Sequence, residues 1–146
     1  MKARSIVALI AGGLVWAFLF PSLVWLVSLF WPALDKSLEI FRQTHRYDVF
    51  SSTSILLLFQ LLWAITNCTV GFVATLISKR KTEALILMAI LVAYFAFRHF
   101  WTEWDQFPAW YNVLVVVLAA PMVVVGATIS ELIRSDRRPD EPVAVG

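Results

Sequence analysis

Four apolar stretches, each long enough to cross a bilayer, dominate this sequence and leave little chain for anything else. They run from about Ser5 to Trp31, Ser52 to Ser78, Glu83 to Phe100 and Ala109 to Ile133. Roughly 20 mostly apolar residues in a helix span the hydrocarbon core, and a helix satisfies its own backbone polar groups there. In a chain of 146 residues, four such helices with their loops and a tail use the whole length. Only 15% of the residues are charged and the mean hydropathy is +0.78, whereas ordinary soluble domains carry about 25% charge.

The expected fold is all-α: an integral membrane four-helix bundle, one domain over residues 1–133, with residues 134–146 a polar, disordered cytoplasmic tail. Lys79-Arg80-Lys81-Thr82 joins the second and third stretches, and Trp101 to Pro108 joins the third and fourth. Connections this short make neighbouring helices antiparallel. The first stretch follows Lys2 and Arg4 as a signal peptide would. It is too long for a signal core and no small-x-small cleavage pattern follows, so it is read as a retained span.

Residues 33–47 are charged, with Asp35, Lys36, Glu39, Arg42 and Arg46, while Leu34, Leu38, Phe41 and His45 recur at helical spacing. Two readings remain open: a separate amphipathic helix at the membrane surface, or an extension of the first span past Pro32.

Positive residues in short loops mark the cytoplasmic side. With a cytoplasmic N-terminus, Lys2, Arg4, Lys79, Arg80, Lys81, Arg134, Arg137 and Arg138 face inward, and Lys36, Arg42, Arg46 and Arg98 face outward. Both termini are therefore expected in the cytoplasm. Aromatic residues gather at the other end. Trp101, Trp104, Phe107, Trp110 and Tyr111 form a candidate outer interface, read as an anchoring belt, with a docking surface for a partner or lipid as the sharper alternative.

No Asp, Glu, Lys, Arg or His lies in the middle of a span. Ion-coupled transport needs an ionisable group at that depth, so a proton-driven antiporter is disfavoured. No cofactor is expected, because a haem between spans needs histidines inside them. His45, His99 and Glu103 are weak candidates for a metal, and none is expected there. The single Cys68 reads as a packed thiol, and no basic stripe suggests nucleic acid. No nucleophile–base set or phosphate loop can be assembled, so no enzymatic activity is expected.

The second span carries the clearest pattern. Gln60, Ala64, Asn67, Gly71, Ala74 and Ser78 follow a four-three spacing, with Thr75 beside them. Gln60, Asn67, Gly71 and Thr75 thus form a polar intramembrane stripe. It reads either as close helix packing or as the lining of a substrate path. Gly126 and Ser130 in the last span, and Gly12, Gly13 and Ala17 in the first, are further close-contact surfaces, while Pro21 and Pro121 are candidate kinks.

Gly71, Ala74 and Ile77 before the basic turn at Lys79 to Lys81, then Pro108, Trp110, Tyr111, Pro121 and Gly126, give a pattern over the C-terminal half. In this the chain resembles small four-span bacterial membrane proteins to which no activity is assigned. The resemblance implies the fold, the topology and a bacterial inner membrane, and no chemistry. The expected role is a non-catalytic accessory or structural subunit of a larger membrane complex, with the bilayer and a larger membrane protein or a second copy as partners. The alternative is a small carrier for a lipid or lipid-linked molecule.

Overall fold

A computed structural model describes residues 3–50, 52–102 and 104–136. Those residues are all-α: five helices, three short helical turns and no strand. Helices α1 (Ala3–Ser28), α3 (Thr53–Ser78) and α5 (Ala109–Asp136) are long and apolar. Helix α4 (Lys81–Phe97) continues through a π-helical turn at Arg98–Thr102. These four elements are long and apolar enough to cross a membrane by length and composition. The tail after residue 136 lies outside the described residues.

Residues 33–47 are not an extension of α1. Helix α1 stops at Ser28, and Trp31 is extended at φ −126° and ψ 93°. The cause is local: Pro32 disfavours the helical conformation of the residue before it. With no N–H to leave unpaired, Pro32 then opens helix α2 (Pro32–Thr44) at its first position. The αL residue His45, whose N–H bonds back to Phe41 O at 2.7 Å, closes α2. The apolar side of α2 turns inward, with Leu34 fully buried and Leu38 and Phe41 packed on the core.

Helix α3 is the most buried of the long helices and touches α1, α4 and α5. Its closest partner is α5. A β-carbon on Gly71 would collide with the carbonyl oxygen of Val123, and one on Gly126 with that of Cys68. Glycine lets the two backbones touch here, and the paired positions lock the register between the helices. Gln60 Nε2 and Trp63 Nε1 then donate to the carbonyls of Tyr111 and Val115, each at 3.2 Å. At the end carrying the α3–α4 turn, Ser5 Oγ donates to Glu83 Oε1 at 2.6 Å, and Lys81 pairs with Glu131 at 2.7 Å. The N-terminus of α1, the α3–α4 turn and the C-terminus of α5 therefore share one end.

Candidate functional site

At the opposite end the helices do not close on one another. An aromatic cavity of about 330 Å³ opens there. Helix α1 contributes Trp16, Phe20 and Pro21, and α3 contributes Phe59 and Trp63. Leu38 and Phe41 of α2 cover it from the end, joined by Tyr47 and Phe50 of the turn Tyr47–Phe50. Phe95, Arg98 and His99 close one side, and Phe107, Tyr111 and Val115 the other.

The walls hold each other in place through ring contacts. Trp63 stands edge-on to Phe95 at a centroid distance of 4.1 Å and to Phe20 at 6.0 Å. Trp16 leans on Phe95 at 5.5 Å and on Tyr94 at 5.8 Å. Such pairs each contribute about 0.5–1.5 kcal/mol beyond area burial. These contacts join the α1, α3 and α4 sides of the cavity into one aromatic cluster.

Polar groups sit at defined points of the wall. The guanidinium of Arg98 donates to the hydroxyls of Tyr94 and Tyr47 at 3.2 and 3.4 Å. His99 is buried, with Nδ1 3.0 Å from Asn112 Oδ1. The amide nitrogen of Asn112 donates to Trp104 O and Phe107 O at 3.1 and 3.3 Å. Its Oδ1 is thereby left as the acceptor, and His99 Nδ1 carries the proton between them. Trp63 N–H is used by Val115, whereas the buried Nε1 of Trp16 has no hydrogen-bond partner among the described residues.

The polar stripe of α3 lies elsewhere. Gln60, Asn67, Gly71 and Thr75 are all buried, and none of them lines the cavity. Gln60 and Gly71 meet α5, and Asn67 Nδ2 donates within its own helix to Trp63 O at 2.9 Å. Gln60 Oε1, Asn67 Oδ1 and Thr75 Oγ1 are buried without partners among the described residues. Gln60 and Gly71 belong to the α3–α5 seam, and Asn67 and Thr75 are buried on α3 away from the cavity.

The outer aromatic group divides. Trp101 is 81% exposed and Trp104 and Trp110 are partly so, but Tyr111 is only 7% exposed and Phe107 packs on the core. Phe107 and Tyr111 meet as a tilted pair at a centroid distance of 5.0 Å in the cavity wall. The three tryptophans form the outward surface, and the other two belong to the interior.

His45 is exposed at the end of α2, whereas His99 is buried beside Asn112. The structure does not bring the two histidines together, and Glu103 lies outside the described residues. No group of metal-ligating side chains occurs among the described residues. Asn112 and the cavity itself were not singled out from the sequence. An asparagine in an apolar run was the available signal for the first, whereas the cavity draws on every helix and had none.

No protein family, curated protein or solved structure matches the chain.

Proposed function

We propose that this chain is a four-helix integral membrane protein that holds a lipid or lipid-linked molecule in its aromatic cavity and acts as a small carrier for it. The supporting observation is the cavity: about 330 Å³ of space lined mostly by apolar and aromatic side chains, within the range of ligand pockets. The arrangement of basic residues favours cytoplasmic termini, with the cavity and α2 at the outer face. The resemblance noted above favours a bacterial inner membrane.

Ala17 and Pro21, two small lining residues of α1, are exposed, so the cavity opens sideways along that helix. A ligand dissolved in the bilayer reaches it without crossing water. The test is mass spectrometry of amphiphiles extracted from gently purified protein. One amphiphile per chain, absent from a correctly folded Ala17→Trp variant, is the expected result. A wild-type protein with the same extract as the variant refutes the carrier reading.

The accessory-subunit reading is favoured by a different observation. Helix α1 presents Ile6, Ile10, Leu14 and Phe18 outward, and nothing lies within 4 Å of a β-carbon built on Gly13. That face is smooth enough to take another helix. A stoichiometric protein that co-purifies, and is lost on Gly13→Leu, would support it.

A further inference from the structure

Helix α2 is attached to the protein unlike any of the long helices. We propose that α2 is a lid that opens and closes the aromatic cavity at its outer end, separately from the lateral opening along α1. This rests on the cavity being a binding site, and it adds how access to that site is controlled.

Polar bonds cross between the long helices. Gln60 and Trp63 donate to carbonyls of α5, Ser5 donates to Glu83, Lys81 pairs with Glu131, and His99 meets Asn112. Among the described residues, no hydrogen bond or ion pair joins a side chain of α2 to another helix. Ser37 Oγ and Thr44 Oγ1 donate at 3.0 and 2.8 Å to Ala33 O and Ile40 O, within α2 itself. The hold on α2 is apolar: Leu34 is fully buried, and Leu38 and Phe41 lie over the cavity.

A joint stands at each end of α2. Trp31 is extended between α1 and α2, and His45 is left-handed at φ 54°. Hinge rotation concentrates in such element-terminal residues. Beyond His45 the chain is fastened to the bundle. Tyr47 accepts a bond from Arg98 at 3.4 Å, and Phe50 packs on Phe59 at a centroid distance of 5.3 Å. Phe41 rests on both of these rings, at 4.9 and 5.3 Å. Helix α2 therefore lies between two joints, on a rim that stays behind when it lifts.

The lifted helix has somewhere to go. Asp35, Lys36, Glu39 and Arg42 are exposed, while Leu34, Leu38 and Phe41 face the cavity end. In the proposed topology α2 sits at the outer boundary of the bilayer. An amphipathic helix there buries its apolar face among headgroups and the upper acyl chains. The apolar face of α2 thus exchanges the cavity rim for the membrane boundary and not for bulk water, and its charged face stays wet in both states. Two states that bury the same face make an equilibrium that a ligand shifts by binding one of them better. With α2 down, the cavity is reached only along α1, through lipid. With α2 up, it opens at headgroup level, where the polar end of an amphiphile enters or leaves without crossing hydrocarbon.

The experiment uses the full chain in lipid nanodiscs, in a Cys68→Ala background. Val115→Cys puts a near-isosteric thiol in the buried cavity wall. A charged methanethiosulfonate, which cannot follow the lateral route through lipid, is added from the water. Slow modification is expected, and Phe41→Ala, which loosens the hold on α2, should speed it about tenfold. Thr66→Cys, fully buried on α3 outside the cavity, should stay unmodified in both backgrounds, which shows that the bundle itself has not loosened. Spin labels on Gln43→Cys and Ser135→Cys, both exposed positions, should report two distances whose ratio Phe41→Ala shifts. Labels on Thr53→Cys and Ser135→Cys, which span the bundle without α2, should report one. A modification rate that Phe41→Ala leaves unchanged, with one distance between positions 43 and 135, overturns the lid. An immobile α2 over a cavity that yields a bound amphiphile overturns the lid alone. A mobile α2 over a cavity that yields none removes the gate together with the carrier reading.

Discussion

Gly71 lies against the main chain of Val123 so closely that a β-carbon would overlap the carbonyl oxygen. Backbone cannot move aside as a side-chain tip can. Gly71→Ala should therefore destabilise the protein by about 1–3 kcal/mol, read as a lower unfolding midpoint in detergent. Gly13→Ala is the control: nothing lies within 4 Å of a β-carbon there, and helix propensity alone should raise stability by up to about 1 kcal/mol. Equal effects at the two positions would refute the close α3–α5 contact.

His99 and Asn112 should behave as a coupled pair. Their side chains meet at 3.0 Å, and Asn112 also ties down the carbonyls of Trp104 and Phe107. Single alanine substitutions should each destabilise, and the double variant should lose less than the sum. A coupling of about 0.6–1.7 kcal/mol is expected, the range found for hydrogen bonds between membrane helices. Strict additivity would show that the bond does not form. Asn112→Ala should also speed proteolysis between residues 98 and 108, where its two carbonyl partners hold the chain.

The seam and the cavity should separate functionally. Asn67 is fully buried and spends its amide on Trp63 O of its own helix. Asn67→Leu removes one such bond together with an unpartnered oxygen, so stability should change by less than about 1 kcal/mol. Ligand occupancy, measured on the extracted amphiphile, should stay at the wild-type level. Loss of occupancy in a stable Asn67→Leu protein would return the stripe to the ligand path.

The proposed topology is open to a labelling test. In a Cys68→Ala background, a cysteine at Gln43, exposed on α2, should react with an impermeant thiol reagent added to intact cells. A cysteine at Ser135, exposed near the end of α5, should react only after lysis. The reverse pattern would invert the orientation inferred from the basic turns.

How far the chain could be read from residues alone differs by feature. The four long helices were legible because charge-free length is a direct signal. The break before α2 was legible only as one of two readings. Pro32 acts on Trp31, but a proline can equally sit in a kinked continuous helix, and the sequence held no second signal to choose. The buried face of α3 was legible from the spacing of Gln60, Asn67 and Gly71. That α5 covers it was foreshadowed by Gly126 alone. The aromatic group misled in part because residue type reports depth and not azimuth. Trp101 is exposed whereas Tyr111, grouped with it by residue type, is buried. The cavity had no local signature, since its walls come from residues as far apart as Trp16 and Val115.

Helix α3 carries Gln60, Thr66, Asn67 and Thr75, four of the buried polar residues, yet α5, which meets it at Gln60 and Gly71, is made after α1, α3 and α4. During synthesis α3 has α1 available, and then α4, while Gln60 and Gly71 still lack their α5 partners. In the proposed membrane topology the growing protein carries uncovered polar groups for that interval, which is costly in a bilayer. A chain ending at residue 108 should accordingly be degraded faster than the full-length protein, and supplying α5 as a separate peptide should slow its loss. The glycine contacts that fix the mature structure thus also mark the moment at which these polar groups are covered.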